Sequence, residues 1–102
     1  MTAPYNRTGY HPLGVFAFEA LAVAGTALGF TAATFTNAIM AVAKVEGAQI
    51  RYRTDGTDPT ATVGVIADPG DMITVWGSSD LNSIRFIRTG GVSATLNTEY
   101  SR

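Results

Sequence analysis

Turn-forming residues interrupt this chain at short, regular intervals, and that spacing limits its fold more than any other feature. After residue 14 they fall at Gly25, Gly29, Gly47, Asp55-Gly56, Asp58-Pro59, Pro69-Gly70, Gly77 and Gly90-Gly91. Short apolar runs between turns of this kind predict an all-β fold, an antiparallel sandwich or barrel. Residues 92–100 carry the plainest strand pattern. Val92, Ala94, Leu96, Thr98 and Tyr100 alternate with Ser93, Thr95, Asn97 and Glu99, so one face should meet the core and the other water. Residues 49–53 repeat the alternation, with Ile50 and Tyr52 inward and Gln49, Arg51 and Arg53 outward. In Met72–Trp76, Ile73 and Val75 share one face and Met72, Thr74 and Trp76 the other. Two further strands are expected over 62–67 and 83–89.

The first half is richer in Ala, the best helix former. Thr-rich flanks and two-residue alternation nevertheless favour strands over 16–23 and 38–45. Residues 16–23 are apolar on both faces except at Glu19, and 38–45 nearly so. A strand apolar on both faces is either central in its sheet or lies at a subunit contact. Residues 1–14 read as an extended N-terminal arm, because Pro4, Gly9, Pro12 and Gly14 break regular structure. Tyr5, Tyr10 and Leu13 give that arm apolar surface to place against a neighbour. The expected organisation is thus an arm over 1–14 and one β domain over 15–102, within the usual size of a single domain.

Charge narrows the function. Seven Lys plus Arg against eight Asp plus Glu leave a net charge of −1. That argues against electrostatic nucleic-acid binding, which needs a basic excess. Only 15% of residues are charged, well below the roughly 25% of an average domain. A weakly charged surface suits a subunit held among other proteins. Cysteine is absent and His11 is the single histidine, so thiol chemistry, disulfides and His- or Cys-rich metal sites are excluded. No secretory signal is visible at the start. The uncharged stretch 20–43 is long enough to span a bilayer, but Gly25, Thr26, Gly29, Thr31, Thr34, Thr36 and Asn37 interrupt it, so no membrane span is expected.

Local motifs are mostly structural. Asp55-Gly56 should form a turn with positive φ at the glycine, extended by Asp58-Pro59. Two carboxylates fall short of the six to eight oxygens calcium takes, so no metal site is expected. No Ser-centred elbow, phosphate loop or paired nucleophile and base is visible, and the chain is not expected to be an enzyme or to need a cofactor. Asn6-Arg7-Thr8 matches the glycosylation triplet, relevant only in a secretory setting. The contact candidates are Trp76, as an aromatic anchor, and the arginines Arg51, Arg53, Arg85 and Arg88, whose planar forks suit carboxylates of a neighbouring subunit. With Tyr5, Tyr10 and Leu13 of the arm they make up the expected interface.

The run Ile50-Arg51-Tyr52-Arg53-Thr54-Asp55-Gly56-Thr57-Asp58-Pro59-Thr60, then Val63-Gly64, Pro69-Gly70-Asp71, Phe86-Ile87-Arg88-Thr89 and the closing strand, resembles small virion proteins of tailed bacteriophages. The resemblance covers about half the chain, from Ala48 to Tyr100. It implies a compact β domain in a phage particle, foremost a capsid decoration (cement) protein bound to the major capsid or other virion proteins. Neck, connector and tail positions are alternatives. Decoration proteins typically sit at capsid symmetry axes, so the resemblance implies a homo-oligomer, with a trimer favoured. Tyr52-Arg53-Thr54-Asp55-Gly56-Thr57-Asp58-Pro59 is also similar to a turn in the β-sandwich module at the C-terminus of chitobiases. A carbohydrate-binding or adhesion module is the reading from another class; it would use Trp76 with Tyr52 or Tyr10.

Overall fold

A computed structural model describes residues 14–102. Tyr5, Tyr10, Leu13, His11 and the Asn6-Arg7-Thr8 triplet lie outside the described residues. The elements run β1 (Val15–Val23), α1 (Ala32–Phe35), β2 (Met40–Glu46), β3 (Ile50–Arg53), β4 (Val65–Ala67), β5 (Met72–Trp76), α2 (Ser78–Ser83), β6 (Arg85–Arg88) and β7 (Ala94–Ser101). They form two antiparallel sheets, one of four strands ordered β1-β7-β2-β5 and one of three ordered β4-β3-β6. The sheets pack face to face as a β-sandwich, which decides between the two expected architectures.

The alternation read from the sequence produces the core. Ala94, Leu96, Thr98 and Tyr100 of β7 are buried, as are Ala41, Ala43 and Val45 of β2 and Ile73 and Val75 of β5. The smaller sheet contributes Ile50, Phe86 and Ala67, and the segments before β2 and β6 add Phe30, Phe35, Leu81 and Ile84. An aromatic cluster joins the layers. Phe30 lies 5.1 Å from Phe86 and 5.4 Å edge-on from Tyr100, ring centre to ring centre. Tyr52 packs 6.4 Å from Phe86 on the same sheet. Edge-to-face pairs of this kind add to plain apolar burial, because the positive ring edge meets a negative face.

Several boundaries differ from expectation, each for a local reason. Strand 92–100 begins only at Ala94, and Val92 is exposed beyond the Gly90-Gly91 turn. Strand 62–67 shrinks to Val65–Ala67 because Thr60 captures the chain. Its hydroxyl accepts from the amides of Thr62 and Val63, and its own amide donates to the Val63 carbonyl, a side-chain alternative to ladder pairing. Strand 83–89 starts at Arg85, since residues 78–83 form a short helix. Two one-turn helices thus replace what alternation alone left as loop or strand. Strand 38–45 starts at Met40, after Asn37 adopts φ +69°. Of the two strands apolar on both faces, β2 is central, between β7 and β5, whereas β1 is an edge.

Candidate interaction surface

The outer face of the four-stranded sheet carries the exposed Phe18, Met72 and Trp76; Val63, Val65, Ile66 and Val92 are exposed elsewhere, on β4 and in loops. Strand pairing sets them in rows: Met40 opposite Trp76, then Phe18-Glu99-Val42-Thr74, then Ala20-Asn97-Lys44-Met72. Phe18 is 59% exposed, Trp76 61% and Met72 59%. The face therefore has a polar spine, Thr95, Asn97 and Glu99 of β7, flanked by aromatic or thioether side chains on both edge strands. At about 4.8 Å per strand step, β1 and β5 stand roughly 14 Å apart across it. Alternation placed Met72, Thr74 and Trp76 on the face opposite Ile73 and Val75; the structure buries Ile73 and Val75 and leaves Met72 and Trp76 exposed. Phe18 was legible only as part of a two-sided apolar strand; it is exposed because it lies on the outer side of the sheet, opposite the side on which Leu21 and Val23 are buried.

Trp76 is presented by its neighbours. Gly77 takes φ +87°, its amide donates to the Ile39 carbonyl at 2.7 Å, and the chain leaves the sheet there for α2. That positive φ is costly for a side-chain-bearing residue, so the glycine fixes where the strand ends and leaves the indole standing at its end. Beside this turn Ala32, Phe35, Thr36, Asn37, Ala38, Ile39, Ser78 and Asn82 line an open depression of about 440 Å³. Tyr52, the other aromatic expected to join Trp76, is in the opposite sheet against Phe86. The structure does not bring those two rings together.

The four arginines are placed differently from Trp76. Arg51 donates from Nη1 to the Gly64 carbonyl at 2.8 Å and from Nε to the Ala61 carbonyl at 3.1 Å. Arg53 grips Asp55 with both Nε and Nη2, at 3.1 and 2.5 Å. Arg85 donates to the carbonyls of Asn82 and Ile84, and Arg88 to the Ser93 hydroxyl. Each guanidinium holds a loop of its own chain. The hydrogen bond from Arg53, with a second from the Thr57 amide, lowers the Asp55 pKa below the ordinary carboxylate value. Gly56 has φ +84° with nothing near its Cβ position, as the Asp-Gly turn requires.

One charged residue escaped the site reading. Glu19 accepts from the Tyr100 hydroxyl and from both the amide and the hydroxyl of Thr31, at 3.1 and 2.7 Å. Burial, and then the bond to the Glu19 carboxylate, push the Tyr100 phenol well above its ordinary pKa. The signal was a lone acid in an otherwise apolar strand, and its partner lies 81 positions away. Among the described residues no three His, Cys, Asp or Glu side chains gather as a metal site, and no helix is long and apolar enough to cross a membrane. Comparison with known proteins finds no matching family model, no similar curated protein and no similar solved structure.

Proposed function

We propose that this protein is a structural component of a tailed-phage virion, foremost a capsid decoration protein that binds the assembled head through the outer face of its four-stranded sheet. The carrying observation is that face, with Phe18, Met72 and Trp76 exposed on two edge strands of a weakly charged chain. Aromatics and Met are enriched at protein contacts, and Phe18, Met72 and Trp76 supply them here on either side of a polar centre that includes Glu99 and Lys44. The resemblance of the segment Ala48 to Tyr100 to small virion proteins gives the reading its biological setting. Its partners are then the major capsid or other virion proteins, and its place is the particle.

Purified protein added to phage heads lacking it tests the reading. Saturable binding, with a heat-release temperature of the packaged genome that rises with occupancy, is the expected result. Trp76→Ala with Phe18→Ser should abolish binding while the variant stays folded. Incorporation into tails or necks alone would move the protein to those structures. Failure to join any particle, together with specific retention on a glycan array, would replace the reading by a carbohydrate-binding module.

A further inference from the structure

We infer that β1 is a homotypic docking edge: two copies of this chain pair antiparallel along β1, with Ala20 opposite its own copy at a two-fold axis. The inference does not depend on the virion reading, because it rests on the four sheet edges. The free side of β6 is closed by the connection after β1, through paired Leu28 and Phe86 bonds of 3.0 and 2.8 Å and an Arg88 amide bond to Ala24 at 3.1 Å. Strand β4 has three residues and β5 five. Strand β1 has nine, pairs with β7 on one side only, and receives no backbone bond on its other side among the described residues.

Natural sheets guard such an edge with lysine, proline, a bulge or an inward charge. Strand β1 has no Lys or Pro, and its bulge lies at Val15/Ala17, before the regular stretch. Its one charge, Glu19, is an inward charge of the guarding kind, but its carboxylate is already bonded by Tyr100 and Thr31, so pairing along the edge leaves it compensated. Among the described residues the far side of β1 from Ala17 to Val23 is a row of unpaired donors and acceptors, whose complement is another strand. The strand's own sequence fits that role in one register. The regular stretch from Ala17 to Val23 has Ala20 as its midpoint, so a pair centred there engages all of it. Phe18 then faces Ala22 of the partner subunit, and each large ring lies over a small side chain. Centring on Glu19 instead would set two carboxylates directly opposite, which is destabilising. The pair also makes the two outer faces continuous, from Trp76 of one copy to Trp76 of the other.

The chain has no cysteine, so single cysteines report the register without background. In an antiparallel pair about Ala20, the Ala20→Cys protein should oxidise to a covalent dimer, since opposed Cα atoms then lie within disulfide reach. Phe18→Cys or Ala22→Cys alone should not, because each stands about 13 Å from its own copy. A mixture of those two should cross-link with each other. Light scattering of the unmodified full chain should give a dimer, and Ala20→Lys, which sets two like charges opposite each other, should raise its dissociation constant severalfold. A monomer at high concentration, as expected if residues 1–13 occupy the edge, would overturn the inference. So would a trimer in which Ala20→Cys fails to cross-link; that result would leave the virion reading standing.

Discussion

The loops of the three-stranded sheet and the outer face of the four-stranded sheet use their side chains in opposite ways. Around β3 and β6 the guanidiniums of Arg51, Arg53, Arg85 and Arg88 bond carbonyls, a carboxylate or a hydroxyl of the same chain, from Arg51 on Gly64 to Arg88 on Ser93. On the outer face Phe18, Met72 and Trp76 stand in solvent. The polar side chains of the first region hold its own turns, although Val63, Val65 and Ile66 are exposed there; the second sets its largest apolar side chains outward. The contrast separates two kinds of residue that a sequence presents alike. An arginine and a tryptophan are both favoured contact residues, yet here the arginines brace turns and the tryptophan faces outward.

Variants can test that division, starting with the core that both regions share. Phe86→Ala empties a fully buried site against Phe30 and Tyr52 and should cost about 3–5 kcal/mol, read by chemical denaturation. In a domain this small it approaches the whole stability, so the midpoint should collapse. Tyr100→Phe removes a bond to a carboxylate and should cost about 1.5–3 kcal/mol. It should also change the alkaline limb. The Tyr100 pKa is raised in the folded protein, so its contribution is complete below the unfolded value near 10 and is lost as pH rises above it. Alkaline unfolding that is identical in Tyr100→Phe would remove the Glu19–Tyr100 link from the account.

Smaller effects are expected where the loops brace themselves. Gly56→Ala meets no atoms, only a positive φ, and should lose about 1 kcal/mol in thermal melting. The Arg53–Asp55 pair lies in solvent. The Asp55 pKa is lowered in the folded state, so its small contribution is present above the unfolded carboxylate pKa and fades as pH falls through the folded one. Arg53→Ala should flatten that part of the acid limb, and salt should do the same. Smallest of all, Trp76→Ala should shift stability by no more than about 0.5 kcal/mol while weakening the particle binding proposed above. A large loss of stability in Trp76→Ala, or a large loss of binding in Arg51→Ala with its loop intact, would break the comparison between the two regions.

Much of this fold is legible in the residues themselves. Period-two burial in β7 and β5, the strand over β3, the positive φ at Gly56 and the shared face of Met72 and Trp76 all follow from local chemistry: side chains alternate across a pleat, and glycine alone takes such turns freely. The sequence also made residues 16–23 and 38–45 equivalent, two strands apolar on both sides. Only the tertiary structure told them apart, because strand order is set by which sheet positions remain once β7 pairs with both, and alternation says nothing about neighbours. β2 became central and β1 an edge. The same holds for Arg51, whose carbonyl partners sit 10 and 13 residues away in a loop, and for Glu19, whose phenol partner is 81 positions away. Local pattern determined which side of each strand is apolar; long-range pairing decided which of those sides, and which edge, was left open.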